Sequence, residues 1–387
     1  MENKKKAARM ICAAFIISLA GGCAVKAPKP TQNAGTDKTM VAKEKEYQSN
    51  LDVIRPQAYS TVDGLHLEKG TYLSVIGKSD DTEYWKAVKA GVDQATKDFN
   101  TALGYKGEDK IKVNYSGPTE GNNVDEQINI LDEELARYPS AVGIAAVDAT
   151  ACTVQFDLAA ENHIPIIAFD SGSDYKNIIS KCSTDNTAAA QTAVTKLSDA
   201  MEDKGEVALF VHDAKSTTGM EREKAFVDEM KKNHPAIKIV KIYYMDEMDV
   251  MAKQIAQERS TEVKPVTPEE ITQIDVAKYI LEKNPMITGI YATSAEATQT
   301  VLKACEELKK DEMKIVAFDG GEEQLAALEK GTISGLIVQN PYGMGYATVV
   351  ASARAVLGMG NEAIVDTGYT WVTKNNMDSK TISRMLY

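Results

Sequence analysis

From Leu67 onward the chain alternates short apolar runs with longer stretches in which apolar residues recur every three or four positions. TYLSVIG (71–77), KIKVNYSG (110–117), AVGIAAV (141–147), IPIIAFD (164–170), GEVALFVHD (205–213) and IKIVKIYY (237–244) have the length and composition of strands. TGIYAT (288–293), KIVAFDG (314–320) and ISGLIVQ (333–339) repeat the pattern. Between them lie helical stripes, such as Val88, Val92, Ala95 and Phe99, or Val124, Ile128, Leu131 and Leu135. Further helices are expected near 188–203, 220–233, 250–260, 269–284, 295–310, 321–330 and 343–357. Strands that alternate with helices predict an α/β fold of parallel sheets covered on both faces.

One phrase occurs twice. IPIIAFDSGS (164–173) and MKIVAFDGGE (313–322) both run apolar, then Ala-Phe-Asp, then small residues and glycine. The repeat and the number of strand–helix units predict two Rossmann-like sheets rather than one. Ligands of such sheets bind beyond the carboxyl ends of the strands. Asp170 and Asp319 occupy that position, so each half is expected to bring one carboxylate to a shared cleft.

Composition narrows the class. With 387 residues, 43% hydrophobic and 26% charged, the chain is long enough for two domains. A formal net charge of -12 excludes the basic footprint of a nucleic-acid binder. Residues 1–22 open with Lys4, Lys5, Lys6 and Arg9 and continue into the apolar MICAAFIISLA, which is signal-peptide anatomy. Leu19-Ala20-Gly21-Gly22-Cys23 resembles a bacterial lipobox, in which the cysteine is acylated; Cys23 is therefore the expected lipid attachment. Residues 23–64 are polar and read as a tether. Cys305 sits on an apolar helix stripe, whereas Cys152 and Cys182 lie near strand ends and, in an exported protein, are expected to form a disulfide.

Catalytic and metal chemistry finds little support. Gly77-Lys78-Ser79 lacks the glycine arch of a phosphate loop, and His66, His163, His212 and His234 share no metal-ligand spacing. GTISG (331–335) has its serine one place late for a nucleophile elbow. No enzyme activity, cofactor or metal is expected. More informative is SDDTEYWKAV (79–88): Tyr84 and Trp85 stand at a strand-to-helix turn, where aromatic faces stack on apolar ligand surfaces.

These features together resemble the periplasmic-type substrate-binding proteins of sugar transporters, the ribose-binding-like group. The likeness spans about residues 70–372 and is carried by YWKAVKAG, AAVDA, IPIIAFDS, STDN, STTGMEREKAF, IVAFDGG and GLIVQNP. It implies a type I periplasmic binding protein fold: one lobe of 65–184 plus 340–367, another of 185–339 plus 368–387, with hinge points at Asn186, Gln339 and Asp366–Gly368. It implies that Tyr84 and Trp85 sandwich a sugar ring and that Asp170, Asp319 and Gln339 bond its hydroxyls. Thr82, Ser171, Met220 and Ser294 fall at the remaining ligand positions, Ser171 and Met220 replacing family arginines and Ser294 an asparagine. Lys78 with Asp170-Ser171 is similar instead to the autoinducer-2-binding branch, from which Asp319 departs. Arg222 matches a family arginine and reads as structural.

The resemblance and the lipobox together imply a monomeric, lipid-anchored protein outside the cell membrane. It would deliver a small neutral sugar to an ABC transporter permease or, alternatively, present a ligand to a chemoreceptor or sensor kinase. The lactose-repressor-type regulators that share the fold need an N-terminal DNA-binding helix pair, where this chain has a signal and tether.

Overall fold

A computed structural model describes residues 46–261 and 264–387. The signal segment and Cys23 lie outside the described residues. Twelve strands follow in chain order: β1 (Tyr72–Ile76), β2 (Lys112–Ser116), β3 (Ala141–Ile144), β4 (Ile166–Phe169), β5 (Ser180–Ser183) and β6 (Gly205–Val211). Next come β7 (Ile237–Tyr244), β8 (Ile287–Ala292), β9 (Lys314–Phe318), β10 (Gly335–Gln339), β11 (Ile364–Asp366) and β12 (Tyr369–Val372). They form two six-stranded sheets, ordered β11-β5-β4-β3-β1-β2 and β12-β10-β9-β8-β6-β7. The pairs are parallel except β10–β12, which is antiparallel. An apolar run specifies burial but not strand direction, which is why an all-parallel expectation fails at this edge.

The chain passes between the sheets three times: after β5, after β10 and between β11 and β12. Asn340, fully buried, ties two of these passages to the segment before β1. Its amide donates to the Asn50 and Thr367 carbonyls at 2.7 and 2.8 Å, and its oxygen accepts from Asn50 at 3.1 Å.

Helices Glu83–Leu103 and Pro341–Val356 cross over the first sheet with almost no side chain between them. A Cβ on Gly91 would overlap the Tyr342 carbonyl, and one on Gly345 would overlap that of Val88. Close approach of this kind needs glycine on both sides. Helix Pro341–Val356 is apolar nearly all round, as a helix enclosed by its neighbours must be.

Two expectations are corrected here. The polar stretch assigned to a tether is folded at least from residue 48: helix Gln48–Asp52 forms, and Leu51, Ile54, Tyr59, Val62 and Leu65 enter the core beside Leu73 and Val349. Burying each large apolar side chain contributes about 1.5–3 kcal/mol, enough to hold a segment whose overall composition is polar. The Cys152–Cys182 disulfide is not formed: both thiols are free. Cys152 packs with Phe156 and Ile166, whereas Cys182 packs with Ile167 and Phe169. Neighbouring residues on β4 point to opposite faces, so the sheet itself separates the two sulfurs.

Candidate functional site

Both copies of the repeated phrase end in the same local structure. Asp170 and Asp319 adopt left-handed backbones, with φ of 52° and 74°. Aspartate tolerates this region better than most residues. Each backbone N–H extends its sheet by one bond, Asp170 to the Cys182 carbonyl at 3.0 Å and Asp319 to that of Ile337 at 2.8 Å. The turn then aims each carboxylate away from the strand axis, toward the space between the sheets.

Around Asp170, Tyr84 donates its phenol hydrogen at 2.7 Å, the Lys78 ammonium lies 3.8 Å away, and Ser171 approaches at 3.3 Å. Thr82 caps helix Glu83–Leu103 by accepting from the Trp85 N–H, which fixes Tyr84 and Trp85 in the first turn. Their rings meet edge to face at 5.1 Å, but their roles diverge. Trp85 is buried against Phe169, so it is the wall behind the site rather than an open face.

Around Asp319, Oδ1 accepts from Gln339 at 2.7 Å and from the Tyr387 hydroxyl at 3.1 Å, while Oδ2 accepts the Ala295 N–H at 3.0 Å. Ser294 caps the helix Ala295–Glu307 and so aims that N–H at the carboxylate. Gln339 also accepts from Arg222 at 2.7 Å and Thr184 at 3.0 Å. The Arg222 guanidinium is spread over the Phe318 ring at 3.9 Å and donates to Asn186 and the Thr293 carbonyl. Burial raises the Asp319 carboxyl above the ordinary aspartate value, while Arg222, Gln339, the Ala295 N–H and Tyr387 pull it back.

The two aspartates are joined through aromatic side chains. Tyr84 bonds Asp170, Tyr387 bonds Asp319, and their rings pack edge to face at 5.7 Å. Burial, followed by Asp170, Tyr387 and Asp319, keeps the Tyr84 hydroxyl well above its usual range, so it remains a proton donor. Two carboxylates therefore face two cations, Lys78 and Arg222, with Asp213 as a third carboxylate beside Lys78 and His212. Beside them His212 bonds Thr293 at 2.7 Å. Burial pushes its pKa down to about 4, Arg222 and Lys78 acting the same way and Asp213 and Asp170 opposing.

The sheets are held together around this cluster. Thr217 accepts from the Gly172 N–H at 2.7 Å, Thr218 meets Ser171 at 3.0 Å, and Glu83 accepts from the Glu322 N–H at 3.1 Å. Lys78, Tyr84, Asp170, Ser171, Asp319 and Gln339 thus lie together. Thr82 and Ser294 act at one remove, as caps. Met220 is left 40% exposed at the start of helix Thr217–Asn233. Sequence reasoning gave Arg222 only a structural part and missed Tyr387. The Arg222 signal was its place in STTGMEREKAF; nothing in the residues around Tyr387 distinguishes it.

A family profile described as a periplasmic binding protein domain matches residues 73–360. Over 206 residues the chain is 23% identical to the ribose import binding protein of Haemophilus influenzae, covering 53% of this chain and 62% of that one. The chain thus spans somewhat less than two thirds of that relative. Over 298 residues it is 20% identical to the D-allose-binding periplasmic protein of Escherichia coli, covering 74% and 86%. A carbohydrate transporter solute binding protein from Agrobacterium radiobacter, solved with D-arabinose, superposes with a TM-score of 0.69 at 29% identity, covering 82% of this chain and 99% of that one. These relatives are named for binding and transport, not for catalysis. With its twin sheets, three crossings and paired strand-end aspartates, the chain belongs to the periplasmic binding protein family.

Proposed function

We propose that this protein captures a small, neutral, polyhydroxylated ligand, a monosaccharide, between its two sheets and delivers it to an ABC importer. The carrying observation is the cluster of Asp170, Asp319, Lys78 and Arg222, lined by Tyr84, in which no cation is left in excess. Ligand hydroxyls donate to carboxylates, and a hydrogen bond to a charged acceptor is worth about 1.5–3 kcal/mol. An anionic ligand would meet both carboxylates in a desolvated site, while Arg222 already gives three of its five N–H donors to Asn186, Thr293 and Gln339. The D-arabinose complex of the Agrobacterium relative supports the same ligand class.

In this reading 65–184 plus 340–367 form one lobe and 185–339 plus 368–387 the other, closing about the three crossings by hinge motion. Cys23 carries the lipid that holds the exported, monomeric protein at the membrane. Among the described residues no helix is long and apolar enough to cross a membrane. A furanosyl signal of the autoinducer-2 type is the second reading, favoured by Lys78 and Ser171 converging on Asp170.

Calorimetric titration with neutral pentoses and hexoses, sugar phosphates and sugar acids tests the proposal. Binding of a neutral member with the anions silent is expected. Tight binding of an anion with the neutral sugars silent would overturn it.

A further inference from the structure

The segment after β12 does not end on the outside of its sheet. Residues 373–379 turn, helix Lys380–Ser383 follows, Met385 is buried, and the chain delivers Tyr387 into the space between Asp170 and Asp319. There the Tyr387 hydroxyl donates to Asp319 at 3.1 Å, and its ring lies against Tyr84 with centroids 5.7 Å apart.

These are the two groups that the neutral-sugar reading gives to the ligand. A carboxylate that accepts a ligand hydroxyl is already accepting a hydroxyl from the chain. An aromatic ring that would cover an apolar ligand face is already in contact with a ring from the chain. A phenol is a neutral O–H donor on an apolar frame, so in chemical terms Tyr387 imitates the ligand.

The segment is also attached in a way that allows it to leave. Its backbone bonds close locally: Asn376 and Met377 to Thr373, Ser379 to Asn376, Ser383 to Ser379 and Met385 to Ile382. Lifting it therefore breaks no rung between strands. Beside Ser383–Tyr387 lies an open pocket of about 710 Å³, lined on its other side by Tyr47, Asn50, Ala87 and Tyr342. Local backbone hydrogen bonding marks a segment that can open without disturbing the sheet, at the cost of uncovering Met385 and the Ile382 and Leu386 side chains packed on the core.

We propose that Tyr387 is an internal competitor for the ligand, occupying the subsite at Asp319 and Tyr84 until a sugar hydroxyl displaces it. The inference rests on the neutral-sugar reading of that site. Occupation by Tyr387 lowers apparent affinity in proportion to the fraction of protein in which the site is taken. It also sets a threshold: a ligand that cannot replace both the hydrogen bond and the ring contact is refused.

The test compares full-length wild type with Tyr387→Ala and Tyr387→Phe, titrated with D-arabinose, D-ribose, D-galactose and D-glucose. Thermal melting accompanies each variant, to verify that it is folded. Hydrogen exchange of residues 380–387 is measured with and without saturating sugar. Tyr387→Ala should bind about tenfold more tightly or better, given the strength of a hydroxyl-to-carboxylate bond. Tyr387→Phe, which keeps the ring, should fall between. Exchange in 380–387 should quicken on saturation of the wild type. Weaker binding by Tyr387→Ala, with exchange slowed by sugar, would make Tyr387 a wall of the site and overturn the proposal. Equal binding by all three proteins would overturn it too, leaving the neutral-sugar reading intact. Silence of every sugar toward both wild type and Tyr387→Ala would overturn that reading and this inference with it.

Discussion

Arg222 donates a 2.7 Å hydrogen bond to the side-chain oxygen of Gln339, whose amide donates at 2.7 Å to Asp319. A cation and a carboxylate from distant parts of the chain are thus coupled through one neutral amide at a crossing between the sheets. Arg222 is 3% exposed and Asp319 6% exposed, so both charges are almost entirely removed from solvent contact.

Replacing Arg222 with Met should therefore leave a buried carboxylate without its cation and strand acceptors on Asn186, Thr293 and Gln339. The expected cost is about 3 kcal/mol or more, the scale of breaking a buried ionic network. Urea unfolding measures it, and a loss below about 1 kcal/mol would show that the network contributes little.

His212 makes stability depend on pH. Its folded pKa of about 4 lies below the ordinary 6.5, so the folded state resists protonation. The stability it contributes is present above pH 6.5 and is lost as pH falls from there toward 4. Asp319, whose carboxyl is raised, acts in the opposite sense: its contribution is greatest below the unfolded value of 3.8 and fades as pH rises through its folded value. Unfolding free energies of wild type and His212→Asn across pH 4 to 7 separate the two, with the variant expected to show the flatter profile. Parallel profiles would remove His212 from the account.

The crossing of helices Glu83–Leu103 and Pro341–Val356 predicts an unusual sensitivity to small substitutions. Gly91→Ala should cost about 1–3 kcal/mol, because its Cβ meets the rigid Tyr342 carbonyl rather than a movable side chain. Thermal melting should show the loss. A melting temperature equal to wild type would mean that the helices separate without penalty.

Much of this architecture is written locally. The strand endings at Asp170 and Asp319 are legible because each is a contiguous phrase, and a buried strand followed by a left-handed aspartate is a local event. Long-range events are not. Leu51, Ile54 and Tyr59 are scattered among polar residues and have no helical or strand period, so their burial under helix Pro341–Val356 depends on a partner almost 300 positions away. Cys152 and Cys182 both sit near strand ends, yet spacing says nothing about which face of the sheet each sulfur takes. Tyr387 follows the last strand without any pattern, and only the three-dimensional path brings it to Asp319.

Cys23→Ala should shed the protein from the membrane fraction, since stable attachment needs the two or more acyl chains that the cysteine would carry. Fractionation with immunodetection gives the answer. Retention of the variant in the membrane would refute the lipid anchor.

The central claim is that Asp170 and Asp319 hold one neutral ligand together. The direct measurement is calorimetric titration of the tightest-binding neutral sugar against wild type, Asp170→Asn and Asp319→Asn. Each variant should weaken binding by about tenfold to a hundredfold, the loss of one charge-assisted hydrogen bond at 1.4 kcal/mol per decade. Wild-type affinity in either variant would contradict the account, because that carboxylate would then lie outside the ligand site.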